Sequence, residues 1–286
     1  MKLKKILLSL LIITLLGTCL PLVALADSTD VVSLGADLTA EQKKEMLKKF
    51  GVSEDEVKII EVSIQDVKKH LLGASEKQIG TKAISSAYVK LLPEGKGIFI
   101  DTHNVTAVTK EMYANALATA GVKDAEVIVA APFKVTGTTA LTGILMAFEE
   151  ATGEQLTIEA KQAANEELKV TQEIGDEIGS AKATELIQRV KTEIIKQKIK
   201  TPEDIRQVIL NIAKELNIKL SDEQIDQILK LMEKISKLDI NVDSIITQLD
   251  KIGKNLEIVK DTLQENKGLF QRIIDTILSW LRSIFA

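Results

Sequence analysis

Apolar residues recur at two different spacings along this chain, and the dominant spacing changes near Gly153. Before Gly153, short apolar runs typical of strands are separated by stretches with the three-and-four spacing of helices. After Gly153 the helical spacing prevails, and no aromatic residue occurs between positions 156 and 269. The pattern predicts an α+β fold, in which a small mixed α/β module over residues 27–153 is followed by an all-helical C-terminal half.

Capping residues and glycines mark the individual elements of the first half. Thr39 and Gln42 form a capping-box pattern at a helix start, and Gly51 is placed to end that helix. Similar signals predict helices over 39–50, 63–72, 109–120 and 138–151, and strands over 57–62, 84–92, 97–101 and 126–131, the last ending before Pro132. The turn signal at 93–95 predicts a hairpin, and the mixture predicts a sheet with helices on one face.

Two capped helices and a long heptad pattern occupy the second half. Thr201 with Pro202 begins one helix, Ser221 with Gln224 begins another, and Asn241 suits a helix restart. Apolar residues then repeat every seven positions in two seams, one with Ile228, Ile235, Val242, Leu249, Leu256 and Leu263, the other with Leu231, Leu238, Ile245, Ile252 and Val259. Because the flanking positions carry little complementary charge, packing within the chain is favoured, and oligomerisation through the seams stays open.

The last stretch, residues 267–286, is strongly two-sided when it is drawn as a helix. Between 269 and 285, every apolar residue falls on one half of the cylinder and every polar residue on the other. Three uses are open for this segment: closing the core of a helical bundle or stalk over 154–266, lying in a membrane interface, or binding a partner protein. Contact with a membrane or partner would involve Phe270, Ile273, Ile277, Trp280, Leu281 and Phe285.

The first 26 residues have the pattern of an export signal. Lysines precede an uncharged apolar run at 6–16, and Ala24-Leu25-Ala26 is a typical cleavage sequence. We expect cleavage after Ala26, which gives a secreted or extracytoplasmic protein. The alternative is lipidation at Cys19, but Thr18 and the apolar residues after Cys19 fit a lipoprotein box poorly.

The composition excludes several classes of protein. The chain has 286 residues with one cysteine and two histidines, which excludes a disulfide scaffold and a Cys/His metal cluster. Its net charge is −4, with both signs spread along the chain, which argues against nucleic-acid binding. No residue pattern in the sequence indicates a metal or a cofactor.

Asp101 and His103 are weak candidates for catalysis. They are two residues apart on a predicted strand, so both side chains are expected on one face. With Ser85 or Ser86, a hydrolytic triad can be drawn. The sequence lacks the Gly-x-Ser-x-Gly turn that presents a nucleophilic serine, so a structural role for these serines is favoured.

Lys134, Thr136 and Thr138 form a candidate anion site ahead of a predicted helix. Free backbone amides at a helix start, hydroxyl groups and one lysine together suit a negatively charged ligand. The segment lacks the Gly-Lys-Thr ending of a phosphate loop, and threonine is a common helix cap, so capping is the favoured interpretation.

Several runs in the middle of the chain share a pattern with a known family. They include Asn104-Val105-Thr106-x-Val108-Thr109, Ala120-Gly121-Val122-x-Asp124-Ala125, Ala130-Ala131-Pro132 and Thr136-Gly137-Thr138-x-Ala140-Leu141-Thr142-Gly143. Together with the helix starts at Thr39 and Ser221, they resemble the YpuA-like family of exported Gram-positive bacterial proteins of unknown function. The resemblance implies an extracytoplasmic, envelope-side protein, and it carries no catalytic residue over to this chain.

These observations predict an exported, non-enzymatic binding or scaffolding protein of the cell envelope. Its partner would be a membrane surface or an envelope protein, contacted through the C-terminal amphipathic segment. The alternative is a hydrolase-like enzyme that acts on envelope material through Asp101 and His103.

Overall fold

Helices and strands are mixed in the first part of the fold. The computed structural model describes residues 30–70, 81–239 and 241–253, without the side chain of His70. Within these ranges it contains one five-stranded sheet and nine helices. The expected mixture of strands and helices is confirmed. The predicted leader at 1–26 and the predicted amphipathic segment at 267–286 lie outside the described residues.

The sheet combines parallel and antiparallel pairs. Its strands are β1 (Val31–Gly35), β2 (Lys58–Val62), β3 (Ser86–Leu91), β4 (Ile98–Val105) and β5 (Ala125–Val135), in the spatial order β2-β1-β3-β5-β4. β1 runs parallel to β2 and β4 runs parallel to β5, whereas β3 is antiparallel to both β1 and β5. Consequently β4 forms one edge of the sheet and has a single described neighbour.

The hairpin predicted at 93–95 is wrong, although a turn does form there. The backbone N–H of Lys96 donates to the carbonyl oxygen of Pro93 at 3.2 Å, so the chain bends as the sequence indicates. β5 lies between β3 and β4 and hydrogen-bonds with both. Local turn residues determine where the chain bends, but the choice of a strand's neighbour depends on residues that follow much later.

The predicted end of the last strand before Pro132 is also wrong. β5 continues through Pro132 to Val135. The register with β4 changes between His103 and Val105, where three extra residues of β5 are accommodated as a bulge. Proline cannot donate a ladder hydrogen bond, and a bulge is one of the places where a strand tolerates it.

The structure has helices close to the positions predicted from capping residues, and two further helices between residues 158 and 197 that were not individually predicted. They are α1 (Ala40–Phe50), α2 (Ile64–His70), α3 (Lys110–Ala120), α4 (Ala140–Thr152), α5 (Ile158–Ile178), α6 (Ser180–Gln197), α7 (Pro202–Glu215) and α8 (Asp222–Ile235), followed by α9 over 242–253, where the described part ends. The predicted capping boxes at Thr39 and Ser221 are both present. Gly51 and Gly153 end α1 and α4 in the left-handed conformation.

Helices cover both faces of the sheet, so the expectation of helices on one face is wrong. Val31 and Val32 are neighbours in β1 and therefore point to opposite faces. Val32 packs in an apolar cluster with Met46 of α1. Val31 belongs to a second cluster with Leu117 of α3 and Leu145 of α4. The sheet is therefore enclosed between α1 on one side and α3 with α4 on the other.

β1 was not predicted from the sequence, although it is an interior strand of the sheet. Its five residues are all buried and show no alternation of polar and apolar positions. A strand with neighbours on both edges and helices on both faces has no polar side, and a run this short carries little periodic signal. Gly35 ends the strand against Ala83, where a Cβ would lie 2.3 Å from the Ala83 carbonyl oxygen.

The helices from α5 onward share an apolar core with the sheet. Leu168 of α5, Ile187 of α6, Ile209 of α7 and Leu231 of α8 belong to the same cluster as Val127 of β5. α3 lies between the sheet and these helices, and nine of its side chains are buried. The division of residues 154–266 into a separate domain stays a prediction.

The described members of the heptad seams pack in the apolar core of the chain, where Leu238 and Val242 are half-buried and the others are buried. The fully buried members are Ile228, Leu231, Ile235, Ile245, Leu249 and Ile252. Between α8 and α9 the chain leaves the helix, and the side chain of Asn241 accepts a hydrogen bond from the N–H of Ser244 at 2.9 Å, as expected for a helix restart. These contacts support packing within the chain.

Polar contacts fix α9 to two turns at the end of the sheet. Asp124, which has a positive φ of 49°, accepts a hydrogen bond from the N–H of Gly97 at 2.6 Å. The Lys251 ammonium donates to the carbonyl oxygen of Gly95. Burial opposes ionisation of Asp124, but the backbone N–H groups of Gly97 and Gly95, the Gln248 amide and the Lys251 charge outweigh it and lower the pKa of the carboxyl.

Candidate functional site

Asp101 and His103 lie together on the edge strand β4. The His103 Nε2 atom is 3.2 Å from the Asp101 Oδ2 atom, and both side chains are about half exposed. The expectation that the two side chains share one face of a strand is confirmed. Their contact is the arrangement in which a carboxylate can orient an imidazole.

The carboxylate of Asp101 is also engaged at its other oxygen. The Lys110 ammonium donates to Asp101 Oδ1 at 2.6 Å, and the backbone N–H of Thr102 donates to the same oxygen at 2.9 Å. The hydrogen bond from Lys110 is the main reason that the pKa of the Asp101 carboxyl lies below its usual range. Asp101 therefore stays ionised at neutral pH and has its acceptor sites occupied by neighbours of the same chain.

Neither candidate serine lies beside His103. Ser86 is on β3 and is paired with Ala130 of β5, which is in turn paired with His103. Two strand spacings of about 4.8 Å therefore separate Ser86 from His103 in the sheet. Ser86 is buried, and its hydroxyl oxygen accepts from the N–H of Gly35 at 3.4 Å, whereas Ser85 precedes the strand and is half-buried. The geometry does not assemble the triad that could be drawn from the sequence, in line with the structural role favoured for these serines.

Two exposed aromatic residues lie on the strands at this edge. Phe99 of β4 and Phe133 of β5 are each 51% exposed. Phe99 is two residues before Asp101, so it shares a strand face with Asp101 and His103. Exposed aromatic side chains beside charged groups are typical of contact surfaces. The sequence does contain a signal for an exposed Phe99, because Phe99 alternates with the polar residues Asp101 and His103 along the predicted strand.

A buried polar cluster ties α3, α5 and α6 together. The Lys191 ammonium donates to Glu167 Oε1 at 2.7 Å, to the hydroxyl oxygen of Thr119 at 2.8 Å and to the carbonyl oxygen of Asn115 at 2.8 Å. Burial lowers the pKa of Lys191, and the Glu167 charge opposes this effect. All three ammonium hydrogens have acceptors, so the cluster has the properties of a structural ion pair.

This cluster was not predicted from the sequence, but it leaves a signal there. Lys191 follows Ile187 by four residues and precedes Ile194 by three, which places it on the apolar side of α6. A lysine at such a position must either reach solvent or find a buried acceptor. The side-chain amide of Asn115 is buried nearby on α3 and has no hydrogen-bond partner among the described residues.

The family to which the chain belongs is decided by a match over most of its length. The family model described as "Protein of unknown function (DUF1002)" matches residues 34–252. The chain belongs to the DUF1002 family. It is also 38% identical over 283 residues to the uncharacterized protein YpuA of Bacillus subtilis (strain 168), with 96% of each chain covered. The resemblance to the YpuA-like family is thereby confirmed. No solved structure matches the chain.

The DUF1002 match coincides with the described fold. It begins within β1 and ends at Ile252, a buried residue in the described part of α9. The predicted leader and the amphipathic segment lie beyond its two ends. The similarity to the Bacillus protein extends further, because it covers 96% of this chain.

The DUF1002 fold separates the residues of the candidate anion site. Lys134 and Thr136 are exposed, whereas Thr138 is buried and its hydroxyl lies 3.4 Å from the Gln172 side-chain oxygen on α5. Thr139 occupies the N-cap position of α4 and makes no side-chain capping bond. The structure does not bring Lys134 into hydrogen-bond contact with either threonine, and an anion-binding role for the three residues stays a prediction.

The predicted contact residues of the DUF1002 chain, Phe270, Ile273, Ile277, Trp280, Leu281 and Phe285, lie outside the described residues. Among the residues that are described, no three acidic, histidine or cysteine side chains are grouped as metal ligands. Within the same ranges, no helix is both long and apolar enough to cross a lipid bilayer.

Proposed function

We propose that this DUF1002 protein is an exported, non-enzymatic binding or scaffolding protein at the cell envelope. In this proposal, an α+β module and an all-helical C-terminal half form a rigid body. The amphipathic segment at 267–286 attaches that body to the surface of a membrane. A partner protein in place of the membrane is an outcome that the experiment below distinguishes.

The leader sequence and the position of β1 support export. The lysines, the apolar run at 6–16 and Ala24-Leu25-Ala26 have the order of a signal peptide. The first strand begins at Val31, five residues beyond Ala26, and is paired on both edges. Cleavage after Ala26 would therefore leave every described strand and helix intact.

The single observation that carries the membrane proposal is the complete separation of apolar and polar residues between 269 and 285. A helix that packs against one neighbour needs an apolar stripe about 100° wide. Here the apolar residues would cover half of the cylinder, which suits a helix lying in the interface between lipid and water. Trp280 belongs to this apolar half, and Arg272 and Arg282 belong to the polar half.

The geometry around Asp101 supports a role other than catalysis. The Lys110 ammonium pairs with Asp101 and helps to lower the pKa of its carboxyl, so Asp101 is ionised at neutral pH and cannot act as a general acid there. Ser86 is buried and separated from His103 by β5. Charged side chains on an edge strand also prevent another strand from pairing with it, which is a sufficient structural reason for their presence.

The test is co-sedimentation of the chain from Asp27 onward with vesicles of phosphatidylcholine and phosphatidylglycerol. The variant Ile277→Glu/Leu281→Glu places two charges on the apolar half, and we expect it to lose sedimentation with the vesicles. The matched control, Thr276→Glu/Ser283→Glu, adds the same charge to the polar half and should bind much more strongly than the first variant.

Equal binding by the two variants would contradict the proposal, because only the apolar half should enter the lipid. Failure of the unaltered chain to sediment with vesicles would contradict the membrane contact and leave a protein partner as the use of the segment.

A hydrolase is the second candidate, and the contact of 3.2 Å between His103 and Asp101 is the observation that favours it. Under this alternative, His103→Ala abolishes turnover of isolated envelope material and Lys200→Ala, an exposed substitution elsewhere, does not. The hydrolase candidate is excluded if the unaltered chain leaves envelope material intact. It is also excluded if His103→Ala turns the material over as fast as the unaltered chain does.

A further inference from the structure

The buried cluster around Lys191 brings an amine, a carboxylate and a carboxamide together in the core. Lys191 of α6, Glu167 of α5 and Asn115 of α3 are 0%, 1% and 2% exposed. The Lys191 Nζ atom is 2.7 Å from Glu167 Oε1 and 2.8 Å from the main-chain carbonyl oxygen of Asn115. A nucleophile, a proton acceptor and an acyl group are therefore neighbours in a place that is closed to solvent.

The side-chain amide of Asn115 makes no hydrogen bond that would explain its burial. Both its oxygen and its nitrogen are buried, and neither has a hydrogen-bond partner among the described residues. Buried polar atoms without partners are unfavourable and rare in folded proteins. The hydroxyl of Thr119, one turn further along α3, contacts both Lys191 Nζ and the Glu167 carboxylate, so the cluster is held together without the Asn115 amide.

The carboxamide carbon of Asn115 is within reach of the Lys191 amine. The carbonyl oxygen that accepts the hydrogen bond from Lys191 belongs to the same residue as this carbon. Standard bond lengths therefore limit the distance from Lys191 Nζ to Asn115 Cγ to about 7 Å. Because no hydrogen bond holds the carboxamide among the described residues, rotation about its χ1 angle can bring Cγ closer to the amine.

The surroundings favour the uncharged form of the amine. Burial lowers the pKa of Lys191, and the Glu167 charge opposes this effect. A desolvated lysine amine is a nucleophile that attacks carbonyl carbon atoms. Glu167 is placed to take the proton that the ammonium must lose, because its Oε1 atom accepts a hydrogen bond from Nζ.

We propose that Lys191 and Asn115 become joined by an intramolecular isopeptide bond. The bond between Nζ and Cγ forms, the bond between Cγ and Nδ2 breaks, and one molecule of ammonia leaves. Glu167 first takes a proton from the Lys191 ammonium. It then gives a proton to the departing nitrogen, takes one from the attacking nitrogen, and ends as a protonated acid. The step is an acyl transfer, so it needs no oxidant or reductant.

The product has fewer buried charges and a covalent link between the two parts of the fold. Lys191 becomes a neutral amide and Glu167 a neutral acid, so the cost of keeping two ions in the core is removed. The bond joins α3 to α6 across 76 residues of sequence. The chain has a single cysteine, Cys19, and therefore cannot make such a link with a disulfide. The inference is independent of the membrane proposal, because it concerns described residues only.

The intact mass of the purified chain from Asp27 onward tests the proposal. The unaltered chain should be lighter than its sequence by the mass of one ammonia molecule. Asn115→Ala and Lys191→Met each lack one reacting group and should have their full sequence mass. The matched control is Asn165→Ala, which removes another buried asparagine and should leave the loss of ammonia unchanged.

Digestion with trypsin locates the bond. Trypsin cleaves after lysine and arginine, and an amide on Nζ prevents cleavage after Lys191. The linked chain should therefore yield the peptide 190–196, uncut at Lys191, joined to the peptide 111–123. In Asn115→Ala the two peptides should separate and cleavage after Lys191 should return. This variant keeps the main-chain carbonyl that accepts from Lys191, so it is the background in which the ion pair with Glu167 is measured without the bond.

The role of Glu167 has its own variant. In Glu167→Gln the linked fraction should fall at least about tenfold, because the side chain can no longer take the proton from the ammonium. An equal linked fraction in this variant would overturn the proposed proton transfer.

Three results would overturn the bond itself. They are a full sequence mass in the unaltered chain, a loss of water in place of ammonia, and a loss of ammonia that persists in Lys191→Met. The last result would show that Asn115 closes a ring with its own backbone, which releases ammonia without Lys191.

Discussion

Lys191 and Glu167 form an ion pair in the middle of the fold, with 2.7 Å between Nζ and Oε1 and side chains that are 0% and 1% exposed. The pair joins α6 to α5, and through the carbonyl of Asn115 and the hydroxyl of Thr119 it also holds α3. Because α3 packs against the sheet, this cluster links the helices that follow Gly153 to the α/β part.

Removing one member of this pair should be more damaging than removing both. We expect Lys191→Met to lower the free energy of unfolding by about 3–5 kcal/mol, because it leaves the Glu167 carboxylate buried without its cation. Lys191→Met/Glu167→Met should recover most of this loss. Urea unfolding of the two single variants and the double variant measures the coupling, and additive losses would contradict this account of the cluster.

Asp124 should make the stability of the protein sensitive to acid. The pKa of its carboxyl is lowered from 3.8 in the folded state, so its contribution is fully present above pH 3.8 and is lost as the pH falls through the folded value. Asp124→Asn keeps a residue that tolerates positive φ. We expect this substitution to lower the free energy of unfolding by about 1–3 kcal/mol at neutral pH. The difference in the free energy of unfolding between the unaltered chain and Asp124→Asn should become smaller as the pH is lowered.

Chemical unfolding of both proteins between pH 7 and pH 2 checks this prediction, with Asp243→Asn, an exposed position on α9, as the control. A difference between Asp124→Asn and the unaltered chain that stays constant across this range would show that the charge of Asp124 does not fix α9.

Gly35 is required by the close approach of the chain at Ala83. A Cβ at position 35 would lie 2.3 Å from the Ala83 carbonyl oxygen and 2.7 Å from its carbon, which are backbone atoms of a neighbouring segment. We expect Gly35→Ala to cost at least about 2 kcal/mol. Gly51→Ala, where nothing lies within 4 Å and only the left-handed φ of 73° is strained, should cost about 1 kcal/mol. Thermal unfolding of the two variants tests whether Gly35→Ala is the more destabilising substitution.

Local features of this fold were predictable because their causes are close in sequence. Thr39 and Ser221 begin helices through hydrogen bonds that span three residues, and Gly51 and Gly153 end helices through their own φ angles. The pairing of Asp101 with His103 has the same origin, since two residues of a strand suffice to place both side chains on one face.

Features that depend on distant residues were not predictable in this way. The turn at 93–95 forms, but β3 does not pair with the strand that follows this turn. It pairs with β5, which begins only at Ala125. The acceptors of Lys191 lie on two other helices, more than twenty residues away. Sequence periodicity places Lys191 on the apolar side of α6. Only the packing of α3, α5 and α6 shows which groups accept the hydrogen bonds of its ammonium.

The central claim is that the amphipathic C-terminal segment meets a lipid surface, and Trp280 is a direct probe of it because it is the single tryptophan of the chain. The measurement is its fluorescence with vesicles that carry bromine atoms at either shallow or deep positions of the lipid chains. The account predicts a shift of the emission to shorter wavelength and stronger quenching by the shallow bromines, since an interfacial helix is buried only about 5–10 Å into the lipid. Emission that is the same with and without brominated lipid would contradict it.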